Sequence, residues 1–230
     1  MRGHLFSFDW KPSATFDSAT AIRLVFVFVL LEGLLGPRLS ILDRFHLSVP
    51  AASIRVPGLL AVALLLVRVV GRATFSTIGF RRWRDWGKTE RSYFVQAVVI
   101  AHLVFFFIAG RRLRTVAGAP ALWGTVAIMV VTQLTWGIYQ ELAYRGILQT
   151  ALVARWPPVV GSLIANTAFT FGPLHIYHVA DRAPWPMFAG IFAVGLFFSV
   201  LFHRSKNLWM VGVLHGLGNV YMDGLSQIIP

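Results

Sequence analysis

Residues 121–150 read ALWGTVAIMVVTQLTWGIYQELAYRGILQT. Residues 121–140 carry no charged side chain, and this is about the length that an α-helix needs to cross the hydrocarbon core of a bilayer. Glu141 and Arg145 then follow one helical turn apart, where a carboxylate and a guanidinium can pair. Charged side chains in a membrane helix are costly unless they are paired, and they commonly mark a functional site. The stretch therefore predicts a membrane helix that ends in a polar site.

The composition of the whole chain also indicates a membrane protein. Of the 230 residues, 57% are hydrophobic and 13% are charged, with a mean hydropathy of +0.68, whereas soluble domains carry about a quarter charged residues. We predict an all-α fold, a polytopic transmembrane bundle of about seven to eight helices that forms a single integral membrane domain over residues 1–230. The apolar segments are about 20–35, 56–70, 93–110, 121–156, 159–177, 186–202 and 208–222.

The fourth apolar segment is longer than a bilayer requires. It runs from about Ala121 to Pro157 and Pro158, where the prolines end it. A helix of roughly 35 residues must be tilted, bent or partly outside the lipid. Gly137 is a candidate for the bend.

The net charge of +12 bears on the partners of the chain. The basic residues lie mostly in loops between the apolar segments, so anionic lipid headgroups are the expected partner and nucleic acid is not. The stretch 71–92, with Trp83 and Trp86, reads as an interfacial segment at headgroup level. If the N-terminus is cytoplasmic, the cytoplasmic loops hold 11 Lys and Arg residues and the loops on the other side hold 7. Because positive charge gathers in cytoplasmic loops, this orientation is favoured. The expected location is the cell membrane, in particular a bacterial inner membrane. There is no cysteine, so a disulfide or a thiolate metal site is excluded.

Two further segments carry polar groups. Residues 166–178 read NTAFTFGPLHIYH, in which Gly172 and Pro173 break the helix before His175, a feature that normally lines a cavity. Residues 215–219 read HGLGN, so His215 and Asn219 share one helix face. Gly212, Gly216 and Gly218 would let another helix approach closely.

Buried polar groups need partners, so the three polar clusters are expected to meet. A carboxylate, two imidazoles and an amide can activate a water and stabilise an oxyanion. One glutamate and two histidines could equally bind zinc through Glu141, His175 and His215, and spacing alone does not separate the two. Other polar residues lack such a pattern, so snorkelling or local pairing is expected for Arg23, Glu32 and His102.

The motifs QELAYR, FGPLH and HGLGN resemble the three signatures of the CAAX-protease and bacteriocin-processing (CPBP) family of intramembrane endopeptidases. The signature-bearing core covers about residues 121–222. The resemblance implies an all-helical, glutamate-dependent membrane protease without an obligatory metal or other cofactor, which cleaves near the C-terminus of membrane-anchored or lipid-modified proteins. The matching residues are Glu141 and Arg145, Phe171 and His175, and His215 and Asn219.

One position departs from the family pattern. The first of the family's two adjacent glutamates is Gln140 here, and an amide cannot accept a proton. Glu141 is then the catalytic base of a Gln-Glu subgroup, oriented by Arg145, or the protein is a non-catalytic relative, or the sequence is an inactivated form. We favour Glu141 as the base, because it lies where Arg145 and the imidazoles could orient it. The pattern also resembles a bacterial subgroup linked to C-terminal sorting signals, which favours the same interpretation.

These considerations leave three hypotheses. The first is a peptidase in which Glu141 activates water with help from His175, while His215 and Asn219 stabilise the oxyanion. The second is a non-catalytic membrane partner, such as an immunity or scaffolding protein, for which Gln140 is the main argument. The third is a zinc protease.

Overall fold

A computed structural model describes residues 17–33, 52–172 and 185–229, and this part of the chain is helical with no strand. The predicted all-α fold is thereby confirmed. His175, with Pro173 and His178, lies outside the described residues. The helices are α1 (Ser18–Gly33), α2 (Ala52–Val69), α3 (Lys88–Ala117), α4 (Pro120–Val153), α5 (Pro158–Phe171), α6 (Trp185–Ser205) and α7 (Leu208–Asn219).

The chain is a membrane protein by the character of these helices. Within the described residues, α3, α4 and α6 are long and apolar enough to cross a membrane, and α5 is a shorter apolar helix. On α3 large apolar side chains point outward, and Phe107 is 83% exposed. A soluble protein would not leave such a surface in water, whereas hydrocarbon accepts it. The exact number of membrane crossings stays a prediction.

The long helix α4 changes its geometry where the motif begins. It starts with a 3₁₀ turn, continues as a regular α-helix over Trp123–Glu141, becomes a π-helix over Leu142–Gln149, and ends with the α-helical turn Thr150–Val153. The expected long continuous helix is found. The irregularity, however, begins after Glu141 and not at Gly137, which lies in the regular part. Such π-helical segments are frequently found at functional sites.

Close packing joins α4 to α7. A Cβ atom on Gly137 would collide with the backbone of Gly216, and one on Gly216 would lie 2.7 Å from the Leu134 Cα atom. Small residues let the two backbones approach closely, as the sequence predicted for Gly212 and Gly216 of α7. Gly218 differs, because a Cβ atom at that position would make only an ordinary contact, 3.8 Å from the Phe105 ring of α3.

The core of the bundle lies around the second half of α4. Residues 139–150 are all buried, and they are surrounded by α1, α2, α5, α6 and α7. A run of twelve buried positions on one helix requires neighbours on every side. The QELAYR motif therefore occupies the centre of the bundle.

The segment between α2 and α3 closes one end of the bundle. Gly79 accepts a hydrogen bond at 2.8 Å from the backbone N–H of Leu208, at the start of α7. Arg81 pairs with Glu90 at 2.7 Å, and Asn207 donates to the same Glu90 oxygen at 2.9 Å. These contacts fix the segment on the starts of α3 and α7.

Candidate active site

Glu141 stands at the centre of the site. Its side chain is fully buried, and Oε1 lies 2.6 Å from Nδ1 of His215 on α7. Nη1 of Arg145 donates to the same oxygen at 3.3 Å. The structure thus brings together three of the residues that the motifs singled out, in a direct acid–imidazole contact. The other carboxylate oxygen, Oε2, is buried and has no hydrogen-bond partner among the described residues, so it is the oxygen left to accept a further hydrogen bond.

Arg145 is held from three helices. The guanidinium is fully buried, and Nη2 donates to the backbone carbonyl of Gly195 on α6 at 2.7 Å and to Oδ1 of Asn166 on α5 at 3.3 Å. Its Cζ atom lies 4.2 Å from the centroid of the Phe169 ring, in cation–π geometry. These contacts fix the cation, so it can hold the Glu141 carboxylate in one orientation.

Asn166 and Gly195 belong to the site although the sequence analysis did not include them. The Asn166 amide accepts from Arg145 and donates through Nδ2 to the carbonyl of Phe192 at 2.9 Å, which ties α5 to α6. An asparagine inside an apolar helix was the only available signal. Nothing in the sequence distinguishes Gly195 from the other glycines of apolar helices.

Replacing Gly195 with alanine is expected to destabilise the protein by about 1–3 kcal/mol, the usual cost of overpacking a filled interior. The new Cβ would collide with Asn166 Oδ1 and lie 3.0 Å from Arg145 Nη2. Unfolding of the purified protein in mixed micelles measures the loss. Gly190→Ala on the same helix is the matched control, because a Cβ atom at that position would meet nothing within 4 Å. Equal stability of the two variants would contradict the packing argument.

The His215 ring is set by aromatic neighbours. It stacks on Phe198, with centroids 5.5 Å apart and planes at 25°, and meets the edge of Phe169 at 5.8 Å. Its side chain is 12% exposed. Since Nδ1 contacts Glu141, Nε2 is the ring nitrogen available to a substrate or a water.

Gln140 and Asn219 form a second polar contact beside the first. Nδ2 of Asn219 donates to Oε1 of Gln140 at 3.2 Å. The amide at position 140, where the family pattern has a carboxylate, is therefore satisfied by the third motif. The two amides and the Glu141–His215 pair occupy the same α4–α7 interface.

A further carboxylate, Glu32 of α1, is buried near the motif helix. It is 5% exposed, and its Oε2 accepts a hydrogen bond from the Tyr144 hydroxyl at 2.8 Å. The expectation that Glu32 snorkels or pairs locally is wrong, because its partner lies in the π-helical part of α4. Tyr144 in turn meets the edge of Phe169 at 5.2 Å. Glu32 is thus linked by packing to the ring that covers Arg145.

Two other residues lie away from the site. His102 is exposed on α3, and its Nδ1 lies 2.9 Å from the carbonyl of Val98, so the expected local pairing is found. Phe171 of the second motif is 41% exposed and stacks on Phe188 at 5.5 Å. Its contact is with α6 and the outside of the bundle.

The zinc hypothesis depends on Glu141, His175 and His215. Among the described residues no group of three or more His, Cys, Asp or Glu could hold a metal ion, and His175 is not among them. The 2.6 Å contact between Glu141 and His215 is that of a hydrogen bond. Two ligand atoms on one tetrahedral zinc stand farther apart, at roughly 3.3 Å for bonds of about 2.0 Å. The geometry therefore fits a proton-sharing pair, and metal analysis with a chelator test decides the alternative.

The comparisons with known proteins agree with the motifs. No curated protein and no solved structure matches the chain. The family model for type II CAAX prenyl endopeptidases, Rce1-like, matches residues 120–221. That range contains Glu141, Arg145, His215 and Asn219 with the helices that position them. Residues 120–221 are therefore similar to the Rce1-like CAAX proteases, which supports the CPBP family that the three motifs resemble.

Proposed function

We propose that this protein is a glutamate-dependent intramembrane endopeptidase that cleaves near the C-terminus of membrane-anchored or lipid-modified proteins. The observation that carries the proposal is the 2.6 Å contact between the buried Glu141 carboxylate and His215, within the residues that match the Rce1-like family model. A buried acid held by an imidazole and a guanidinium is a suitable general base. No metal or other cofactor takes part in the proposed reaction.

The proposed reaction is hydrolysis of a peptide bond. A water bound to Glu141 Oε2 attacks the carbonyl carbon, its proton passes to the carboxylate, and the proton then moves to the leaving amine nitrogen as the C–N bond breaks. The oxyanion of the tetrahedral intermediate would accept hydrogen bonds from His215 and Asn219. Arg145 acts as a positioning residue that holds the Glu141 carboxylate in one orientation. His175 is proposed to help position the water.

The proposed substrate is a peptide tail that reaches the site from the membrane interface, in a multi-pass protein of a bacterial inner membrane with a cytoplasmic N-terminus. The buried location of the site is supported by residues 139–150, which include Glu141 and are all buried. A tail peptide must therefore pass between helices to reach the carboxylate. Such a site excludes bulk water, which strengthens the interaction of fixed dipoles with the oxyanion.

The test is cleavage of a fluorogenic tail peptide by the full chain in detergent micelles. The parent protein is expected to cleave, and His175→Ala and His215→Ala are expected to cleave at least about a hundredfold more slowly. Equal rates in the parent and both variants would overturn the proposal.

A non-catalytic membrane partner is the second candidate, and Gln140 favours it. The Gln140→Glu variant separates the two. We expect no gain in cleavage over the parent, because Asn219 already satisfies Gln140 and a second buried carboxylate beside Glu141 would disfavour ionisation of the pair. Gln227→Glu, exposed in the last helical turn Leu225–Ile228, controls for added charge. Activity that appears only in Gln140→Glu would instead show a lapsed enzyme.

A further inference from the structure

A cavity of about 1050 Å³ lies at the end of the bundle where α2 ends and α3 and α7 begin. It is bounded by part of the segment that joins α2 to α3, and by Phe94 of α3 and by Trp209 and Val213 of α7. Positions 209 and 213 lie about 120° and about 160° around α7 from His215, on a different face of the helix. The cavity is therefore separate from the candidate active site.

The lining of the cavity has an excess of positive charge. Arg68, Arg81 and Arg82 line it, against a single carboxylate, Asp85. Arg81 is neutralised by Glu90 at 2.7 Å. Arg82 is exposed, and within the described ranges its guanidinium makes no hydrogen bond or ion pair. Arg68 donates through Nη1 to the Ala73 carbonyl at 3.3 Å and makes no ion pair with the described residues. Both Arg68 and Arg82 therefore keep guanidinium donors for an anion.

Hydroxyl groups stand beside these cations. Thr74 and Ser76 line the cavity, and their hydroxyl oxygens lie 2.8 Å apart. Thr74 Oγ1 is also 2.8 Å from Thr77 Oγ1. Hydroxyl donors next to arginines are a common arrangement around phosphate oxygens. The polar part of the cavity therefore fits a phosphate group.

The remaining walls are aromatic. Trp83 and Trp86 have ring centroids 4.7 Å apart, and Phe80 meets Trp209 at 5.1 Å. Trp86 is 5% exposed, so its ring is covered by protein, whereas Trp83 is 50% exposed. A free phosphate ion has no apolar surface to bury against aromatic walls, whereas the glycerol and upper acyl parts of a lipid have such surface.

The residues around the cavity are of the types found at the level of lipid headgroups. Tryptophan and arginine gather at the interface between hydrocarbon and water. The neighbouring helix α3 presents an apolar surface of which only a small share is buried in the protein. An acyl chain leaving the cavity would meet that surface.

We propose that this cavity binds one anionic glycerophospholipid of the surrounding leaflet. Its phosphate is held by Arg68, Arg82 and the Thr74 hydroxyl, and its glycerol backbone lies against the Trp83 and Trp209 rings. This binding site is independent of the proposed peptidase activity.

Tryptophan quenching by brominated lipids tests the site in the full chain. Phosphatidylglycerol with dibrominated acyl chains is added to the protein in phosphatidylcholine nanodiscs, and the same titration is made with dibrominated phosphatidylcholine. Brominated phosphatidylglycerol is expected to quench at a several-fold lower mole fraction. Arg68→Gln and Arg82→Gln are each expected to raise the half-quenching fraction about fivefold, the usual effect of one basic residue at an anionic surface. Trp209→Phe should remove part of the quenched signal.

Arg84→Gln is the matched control, because Arg84 is exposed in the 3₁₀ turn Trp83–Asp85 directly after Arg82, pairs with Asp85 at 3.8 Å and does not line the cavity. It should leave the titration unchanged. If Arg68→Gln misfolds, Arg82→Gln and Thr74→Val carry the test, since both positions are exposed. Equal quenching by the two lipids, or an equal effect of Arg84→Gln and Arg82→Gln, would overturn the proposal. So would full competition by the soluble headgroup glycerophosphoglycerol.

Discussion

Replacing Glu141 with glutamine is expected to lower the rate of tail-peptide cleavage by roughly 10²–10⁴-fold, the range that a general base contributes. The amide keeps the shape of the side chain and an oxygen that can accept from Arg145, now 3.3 Å from Glu141 Oε1. It cannot take a proton from water. The loss should therefore appear in kcat with little change in KM, measured with purified protein in micelles.

Asp223→Asn is the control for the loss of one carboxylate, because Asp223 is exposed on the π-helical turn Val220–Gly224 after α7. It should retain the parent rate. Elution volume and circular dichroism confirm that both variants are folded. A Glu141→Gln protein that cleaves at a rate close to that of the parent would remove Glu141 from the reaction, and with it the proposed mechanism.

Local spacing was sufficient to predict the pairing of Glu141 with Arg145 on α4 and a close helix neighbour for the glycines of α7. Glu141 and Arg145 are one turn apart on α4, so their pairing follows from helix geometry. The glycines of α7 predicted a close neighbour, and the neighbour is α4 at Gly137. Long apolar segments likewise predicted the helices, because a membrane leaves the backbone few other ways to satisfy its hydrogen bonds.

Contacts between distant segments could not be predicted in this way. Glu32 and Tyr144 are 112 positions apart, and nothing in the apolar pattern of α1 indicates which helix it meets. The same is true of Gly195, whose backbone carbonyl serves Arg145. Every residue has a backbone carbonyl, so the carbonyl of Gly195 gives no sequence signal. What distinguishes this position is that a side chain would collide with Asn166 and Arg145, and only the packing of the helices shows this. The π-helical geometry after Glu141 also has no signature in the spacing.

The second large effect is expected at Arg145. Replacing it with methionine should lower the free energy of unfolding by about 3–5 kcal/mol, the usual cost of removing one partner of a buried ion pair. Glu141 would be left fully buried without its cation, and the Gly195 carbonyl would lose its 2.7 Å donor. Unfolding in mixed micelles, followed by near-ultraviolet circular dichroism, measures the loss.

Arg155→Met is the matched control, since Arg155 is exposed just beyond the end of α4 and contacts only Ser18 among the described residues. A surface change of this kind should stay within about 0.5 kcal/mol. Equal losses for Arg145→Met and Arg155→Met would show that the buried pair does not stabilise the fold.

The double variant Glu141→Gln with Arg145→Met separates the two sources of the loss at Arg145. If the cost comes from the uncompensated Glu141 carboxylate, neutralising that carboxylate should restore a large part of the stability, and the double-mutant cycle should give a coupling free energy within about 0.5–3 kcal/mol. If the cost comes from the contacts of Arg145 with Asn166, Gly195 and Phe169, the double variant should be no more stable than Arg145→Met alone. The 3.3 Å pairing distance and the complete burial of both side chains favour the first result. The second result would make Arg145 chiefly a link between α4, α5 and α6, and the orientation of Glu141 would then rest on His215.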